Sequence, residues 1–202
     1  TGAGDTMIEA DSSNGLEDQT PRSNVQLANA TFIHRNAGDQ AIRIRGGHDY
    51  TIVNSLLIDN SGVAAGVPCL RIDDDETIRA ANAGLDDVGP PMFASFALQC
   101  ADDARNGSNG GATEVQAEAL ISGGTGNNLS YTATLTSGYL GGASETGYTP
   151  IFNATTLSSF FEAVTFIGAV APANNWTQGW TCDSAALTFG GNTGSCLDIP
   201  VL

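Results

Sequence analysis

Lysine is missing altogether, and the seven cations are all arginine, set against twenty-two Asp plus Glu. The resulting net charge of −15 repels phosphate backbones and anionic lipid, so a nucleic-acid partner is not expected. Apolar runs are short; the best, Phe160 to Val170, is broken by Glu162, far below the ~20 residues that cross a bilayer, so no transmembrane segment is expected. No C-x-x-C pair occurs and neither histidine lies near a cysteine, which removes a structural zinc site. There is no G-x-S-x-G nucleophile motif either.

What remains is Gly-rich, with 25 glycines, and 41% apolar over 202 residues, enough to bury a core. The four cysteines, Cys69, Cys100, Cys182 and Cys196, suit two disulfides in an oxidising compartment. Three pairings are open; local loop closure favours Cys69–Cys100 and Cys182–Cys196. Together these features predict an exported chain, extracellular or at the cell surface.

Internal repetition governs the fold expectation. NVQLANATFIHRNAG (24–38) lies over DYTIVNSLLIDNSG at an offset of 25, which sets Leu27 on Ile52, Asn29 on Asn54 and Phe32 on Leu57. AIRIR (41–45) matches CLRID (69–73) at 28, and MFASFALQ (92–99) matches IVNSLLID (52–59) at 40; Thr6 to Ala10 is a further copy of the AIRIR strand. Strict alternation in AIRIR turns Ile42 and Ile44 one way and Arg43 and Arg45 the other. Gly, Asn and Asp fill the turns. The expected fold is therefore all-β: a right-handed parallel β-helix (solenoid) with short helical insertions and a disulfide-closed C-terminal cap, preferred to an antiparallel sandwich for want of two-residue hairpin turns. Stacked Asn29 and Asn54 would form an amide ladder. Three regions are expected. Residues 1–100 form coils with a helical insertion at 73–91. Residues 101–150 form a Gly/Ser/Thr-rich insertion with a short helix at 114–121, opened by a Thr113–Gln116 capping box. Residues 151–202 form a C-terminal helix, read from Leu157, Phe160, Phe161 and Val164, and a cap.

The run LSSFFEAVTFIGAVAPANNWTQGWTC (157–182), after DQTPRSNVQLANATF and CLRIDDDETI, resembles uncharacterised exported bacterial β-helix proteins, often labelled lipoprotein or hypothetical, with an ending FF-x-x-V-x-[YF]-I-G-A … W-x-x-G-W-T. The resemblance spans roughly residues 18–100 and 150–200. It implies a surface or extracellular role and no established activity. Such proteins carry more solenoid upstream and a lipid-modified cysteine, so the chain reads as a fragment.

The catalytic candidates are the outward row Arg43, Arg45, Arg71 and Asp73, because polysaccharide lyases and hydrolases on β-helices set carboxylates and a basic group on an exposed strand face. The blander reading, a surface Arg–Asp ladder, is preferred. Asp73, Asp74 and Asp75, with Asp86 and Asp87, are the candidates for an irregular Ca²⁺ site, although no EF-hand spacing is present. His34 and His48 are read as surface turn residues. Trp176 and Trp180, with Tyr139 and Tyr148, are candidates for stacking on glycans. The leading functional expectation is a non-catalytic structural or adhesive protein that self-associates through an open N-terminal coil, head to tail into fibres. A carbohydrate-active enzyme or glycan-binding module is the alternative.

Overall fold

The computed structural model describes residues 6–35 and 37–177. The alternating segments form seven strands in two parallel sheets. The first sheet has the order β1 (Ile8–Asp11), β4 (Ile42–Arg45), β6 (Leu70–Ile72). In the second, β2 (Asn24–Ala28) and β3 (Thr31–His34) lie along one side of the long β5 (Asp49–Asp59), and β7 (Met92–Gln99) along the other.

Parallel pairing follows the repeats. Leu27 stands beside Ile52 and Phe32 beside Leu57; Ile42 stands beside Leu70 and Arg43 beside Arg71. Ile8, Glu9 and Ala10 pair with Ile42, Arg43 and Ile44. β7 pairs one residue away from expectation: Ile52 meets Phe93 and Leu57 meets Leu98, an offset of 41. In that register Asn54 lies beside Ser95, and both have left-handed backbones, with φ of 50° and 48°; Asn29 has φ 56°. Such a residue interrupts the two-residue alternation. Ile52 and Leu57, five apart, consequently both face the main core, as do Leu27 and Phe32, and Phe93 and Leu98.

The all-β solenoid expectation is corrected. The described residues form two small separate parallel sheets accompanied by three short helices, α1 (Asp75–Ile78) between β6 and β7, and α2 (Glu114–Ser122) and α3 (Ala143–Thr146) after the last strand, with 3-10 turns at Ala83–Leu85 and Ala154–Thr156. No strand is found among the described residues after Gln99, and the disulfide is mid-chain, tying Cys69 to Cys100 with Cα atoms 6.2 Å apart. Cys182 and Cys196, and the cap they were expected to close, lie outside the described residues. The reason lies in residues 101–170, whose Gly, Thr and Asn content lacks the sustained apolar alternation a further strand needs. Instead of adding layers, this segment wraps the outer face of the second sheet. Tyr131, Ile151 and Ile167 pack on Leu56, Ile58 and Ala97, while Phe152, Leu157 and Phe161 pack on Val53 and Ala94.

The Asn29–Asn54 amide ladder is also corrected. Asn54 donates to the Phe152 carbonyl (2.9 Å) and accepts its N–H (3.0 Å); Asn29 donates to the carbonyls of Phe166 and Gly168. Ser95 Oγ donates to the Pro150 carbonyl at 2.8 Å. The three left-handed corners thus hold the wrapping segment by its backbone.

The helix expected from Leu157 to Val164 is replaced by the turn at Ala154–Thr156, and Phe160 is 87% exposed. α2 begins as read, with the reciprocal Thr113–Gln116 box in place, but its buried side is Ala117 and Ile121 while Val115 faces water.

Candidate functional site

β4 turns Ile42 and Ile44 into the core and Arg43 and Arg45 outward. Parallel pairing sets Glu9, Arg43 and Arg71 in one row, and Asp11 beside Arg45 in another. Asp73, directly after β6, ties the face together. Its Oδ2 accepts from Arg43 Nε (2.7 Å), and its Oδ1 accepts from Arg71 Nε (2.7 Å) and from the Ser108 N–H (2.7 Å). Arg71 also reaches Ser108 Oγ at 3.2 Å. Glu9 pairs with Arg45 at 3.0 Å and with Arg43 at 3.5 Å, and Asp11 pairs with Arg45 at 3.1 Å.

Burial pushes the Asp73 carboxyl upward, but the Ser108 N–H and the two guanidinium groups outweigh it and hold the carboxyl below its ordinary value. A carboxylate so held, with both oxygens engaged, is a poor proton acceptor near neutrality. The four residues Arg43, Arg45, Arg71 and Asp73 are therefore brought together, as a closed network of ion pairs.

The other candidate acids have separate tasks. Asp74 accepts from the Gly46 N–H (2.7 Å) and from Asn109 Nδ2 (3.0 Å). Asp75 opens α1 and is exposed. Asp87 accepts from Arg79 Nε at 2.8 Å and lies 3.5 Å from Arg22, whereas Asp86 is exposed in a left-handed turn. Among the described residues no group of three or more His, Cys, Asp or Glu side chains is arranged to hold a metal ion.

Both histidines are buried, which corrects their reading as surface turn residues. His34 Nδ1 is 3.7 Å from Asp59 Oδ1. Burial raises the Asp59 carboxyl, but the Val67 N–H and the Ser61 groups prevail and lower it. His48 is pushed toward its neutral form by burial and lies against Tyr50, with ring centres 5.2 Å apart.

A second charged centre, not anticipated, surrounds Arg22. The buried guanidinium donates to the Glu76 carbonyl (2.9 Å) and to Asp49 Oδ1 (3.3 Å). Burial raises the Asp49 carboxyl despite Arg22. Arg79, joined to both Asp18 and Asp87, extends the chain of charge to the surface. This centre pins residues 12–22 against the Gly46–Asp49 turn and α1. The signal for it was arithmetic: with seven cations among twenty-two acids, an arginine has carboxylates competing for it.

Of the aromatic candidates, Trp176 is 57% exposed, and its indole N–H donates to the Ala169 carbonyl at 2.9 Å, which sets the ring's direction. Beside it Asn175 Nδ2 donates to the Tyr139 hydroxyl at 3.1 Å. Tyr148 stands elsewhere, edge-on to Tyr131, with its hydroxyl donated to the Gly126 carbonyl. Trp180 lies outside the described residues.

Shallow hollows mark the surface of the described residues, three of them as follows. One of about 390 Å³ is lined by Leu16, Glu17, Asp18, Gln19 and Glu76. The other two flank Ala119 and Leu120 of α2, at about 270 and 390 Å³. None of the three is lined by the Arg–Asp face.

No helix among the described residues is long and apolar enough to cross a membrane. Comparison with known protein families, with curated proteins and with solved structures returns no match in any of the three.

Proposed function

We propose that this chain is a non-catalytic structural or adhesive protein of the cell surface or extracellular space, which self-associates through the end of its sheets formed by β1, β2 and β3. The carrying observation is the state of the first layer of the core. Met7, Ile8, Leu27 and Phe32 are only partly buried, whereas Ile42, Ile52 and Leu57 in the next layer are closed off from solvent. Among the described residues, β1, β2 and β3 pair with no further strand on their outer sides. Unpaired strand edges beside half-open apolar side chains favour addition of another chain. The segments NVQLA and TFIH carry no Asp, Glu, Lys or Arg, and the two acids of β1, Glu9 and Asp11, are paired with Arg43 and Arg45, which limits like-charge repulsion where two acidic molecules meet.

The opposite end is covered. Leu70 donates to the Asp103 carbonyl (3.2 Å) and receives from the Arg105 N–H (3.0 Å), while Asn128 and Tyr131 continue along β7. With the β1–β3 end uncovered among the described residues and the other end covered, like ends meet, and the assembly closes as a symmetric pair instead of growing head to tail. The Cys69–Cys100 disulfide supports an oxidising location.

Sedimentation equilibrium over a wide concentration range tests this. The chain is expected to sediment as a dimer, and Val25→Glu, which places a charge at an exposed position on β2, as a monomer. A wild-type monomer at every concentration would refute the proposal.

A second reading is favoured by Trp176: an exposed indole face with Asn175, Thr177 and Tyr139 beside it suits stacking on a neutral sugar ring. Glycan-array binding lost in Trp176→Ala would support it, and unchanged binding would remove it.

A further inference from the structure

We infer that Asn14 is a site of spontaneous covalent modification, converting to aspartate and isoaspartate through a cyclic imide, with the Glu17 carboxylate as the proton acceptor. The reaction begins when the Gly15 nitrogen attacks the Asn14 side-chain carbonyl carbon. A bond forms between Gly15 N and Asn14 Cγ, the bond from Cγ to Nδ2 breaks, and ammonia departs. The proton from Gly15 N passes to Glu17 and on to the leaving amine. Water then opens the imide at either carbonyl, leaving one new carboxylate on a normal or an isomerised backbone. No oxidant or reductant is consumed.

The closure needs a residue after the asparagine that does not obstruct the attack, a free carboxamide, and a base near the attacking nitrogen. Residues 14–17 meet all three needs. Gly15 has φ +84° with open space around its α-carbon. Asn14 is exposed, with no hydrogen bond holding its side chain among the described residues. The Gly15 N–H donates to Glu17 Oε1 at 2.7 Å. The loop is also near solvent water, beside the hollow lined by Leu16 to Gln19.

The chain supplies its own controls, because Asn106–Gly107 and Asn109–Gly110 share the dipeptide and differ in setting. Asn106 Oδ1 accepts from the Glu114 N–H at 3.0 Å. The Gly107 N–H donates at 2.7 Å to the Ala112 carbonyl, which is not a base, and Gly107 is wedged against the Ile72 carbonyl. Asn109 donates its Nδ2 to Asp74 Oδ1 at 3.0 Å. Both asparagines are held away from the attack that Asn14 is free to undergo.

Peptide mapping by mass spectrometry, after timed incubation of the folded chain near neutral pH, reads all three positions at once. Asn14 is expected to convert about tenfold faster than Asn106 or Asn109. Glu17→Gln, which keeps an acceptor oxygen and removes the base, is expected to slow Asn14 by about tenfold or more without changing the other two. In denaturant the three rates should converge. Equal rates in the folded chain, an Asn14 rate indifferent to Glu17→Gln, or an Asn14 advantage that persists in denaturant would each overturn the inference.

Discussion

Asp73 holds two guanidinium groups and a backbone N–H with one carboxylate, so its removal strands two partly buried cations. Asp73→Ala is expected to lower stability by about 2–3 kcal/mol in a denaturant titration. A change within about 0.5 kcal/mol would show the network to be ornamental. Asp103 behaves in the opposite sense. Burial, with help from Glu118 and Asp102, raises its pKa to about 6 from 3.8. A carboxyl that binds its proton more tightly in the folded state favours folding most below pH 4. That contribution is lost as pH rises through about 6. Asp103→Asn should therefore stabilise the protein by on the order of 1 kcal/mol above pH 7 and leave it unchanged near pH 3. Thermal melts at the two pH values check the sign.

At the scale of elements, the corners formed by Asn29, Asn54 and Ser95 have two roles. They interrupt the alternation so that both halves of each strand face the core, and they grip the segment that covers the second sheet. Asn54→Gly keeps the left-handed backbone accessible and deletes both bonds to Phe152, so it isolates the second role. The expected loss is about 2 kcal/mol, and limited proteolysis should cut near residue 152 first. At α2, Thr113→Ala removes the capping box for about 1 kcal/mol.

These elements also mark what could be read in advance. Parallel pairing at offsets of 25 and 28 was legible because alternation and spacing repeat together in residues 24–34, 41–45 and 49–59. The charged face followed, since Arg43 over Arg71 needs only the register. The position of β7 was missed by one residue because MFASFALQ was set over IVNSLLID at an offset of 40, which lays Ser95 on Ser55, when the corner that matters is Asn54. The wrapping of residues 130–168 was not legible at all. It is held by side chain to backbone bonds, which impose no period, and by scattered apolar residues. Leu157, Phe160, Phe161 and Val164 have helical spacing, yet only Leu157 and Phe161 meet the sheet, and they do so from the turns that follow Ala154–Thr156 and not from one helix face. The burial of Arg22 and His48 was likewise hidden, because it depends on loops folding over one another.

At the scale of the whole molecule, the Cys69–Cys100 disulfide joins the start of β6 to the end of β7, and so links the two sheets across 31 residues of sequence. Loop-closure entropy gives it a stabilising contribution of about 3–4 kcal/mol. Reduction, or replacement of both cysteines by serine, should lower the melting temperature by ten degrees or more on the order-of-magnitude scale for a chain of this size. An unchanged melting curve would mean the sheets are joined well enough by packing alone.

β5 lies at the centre of all this. Neighbouring strands flank it on both sides, the shared core covers one of its faces, and residues 131–168 cover the other. Its amides have no shallow route to solvent. In heavy water Ile52, Val53, Leu56 and Leu57 should keep their protium longest, exchanging only when the entire molecule opens. Those four positions then report the global free energy of unfolding, one amide at a time.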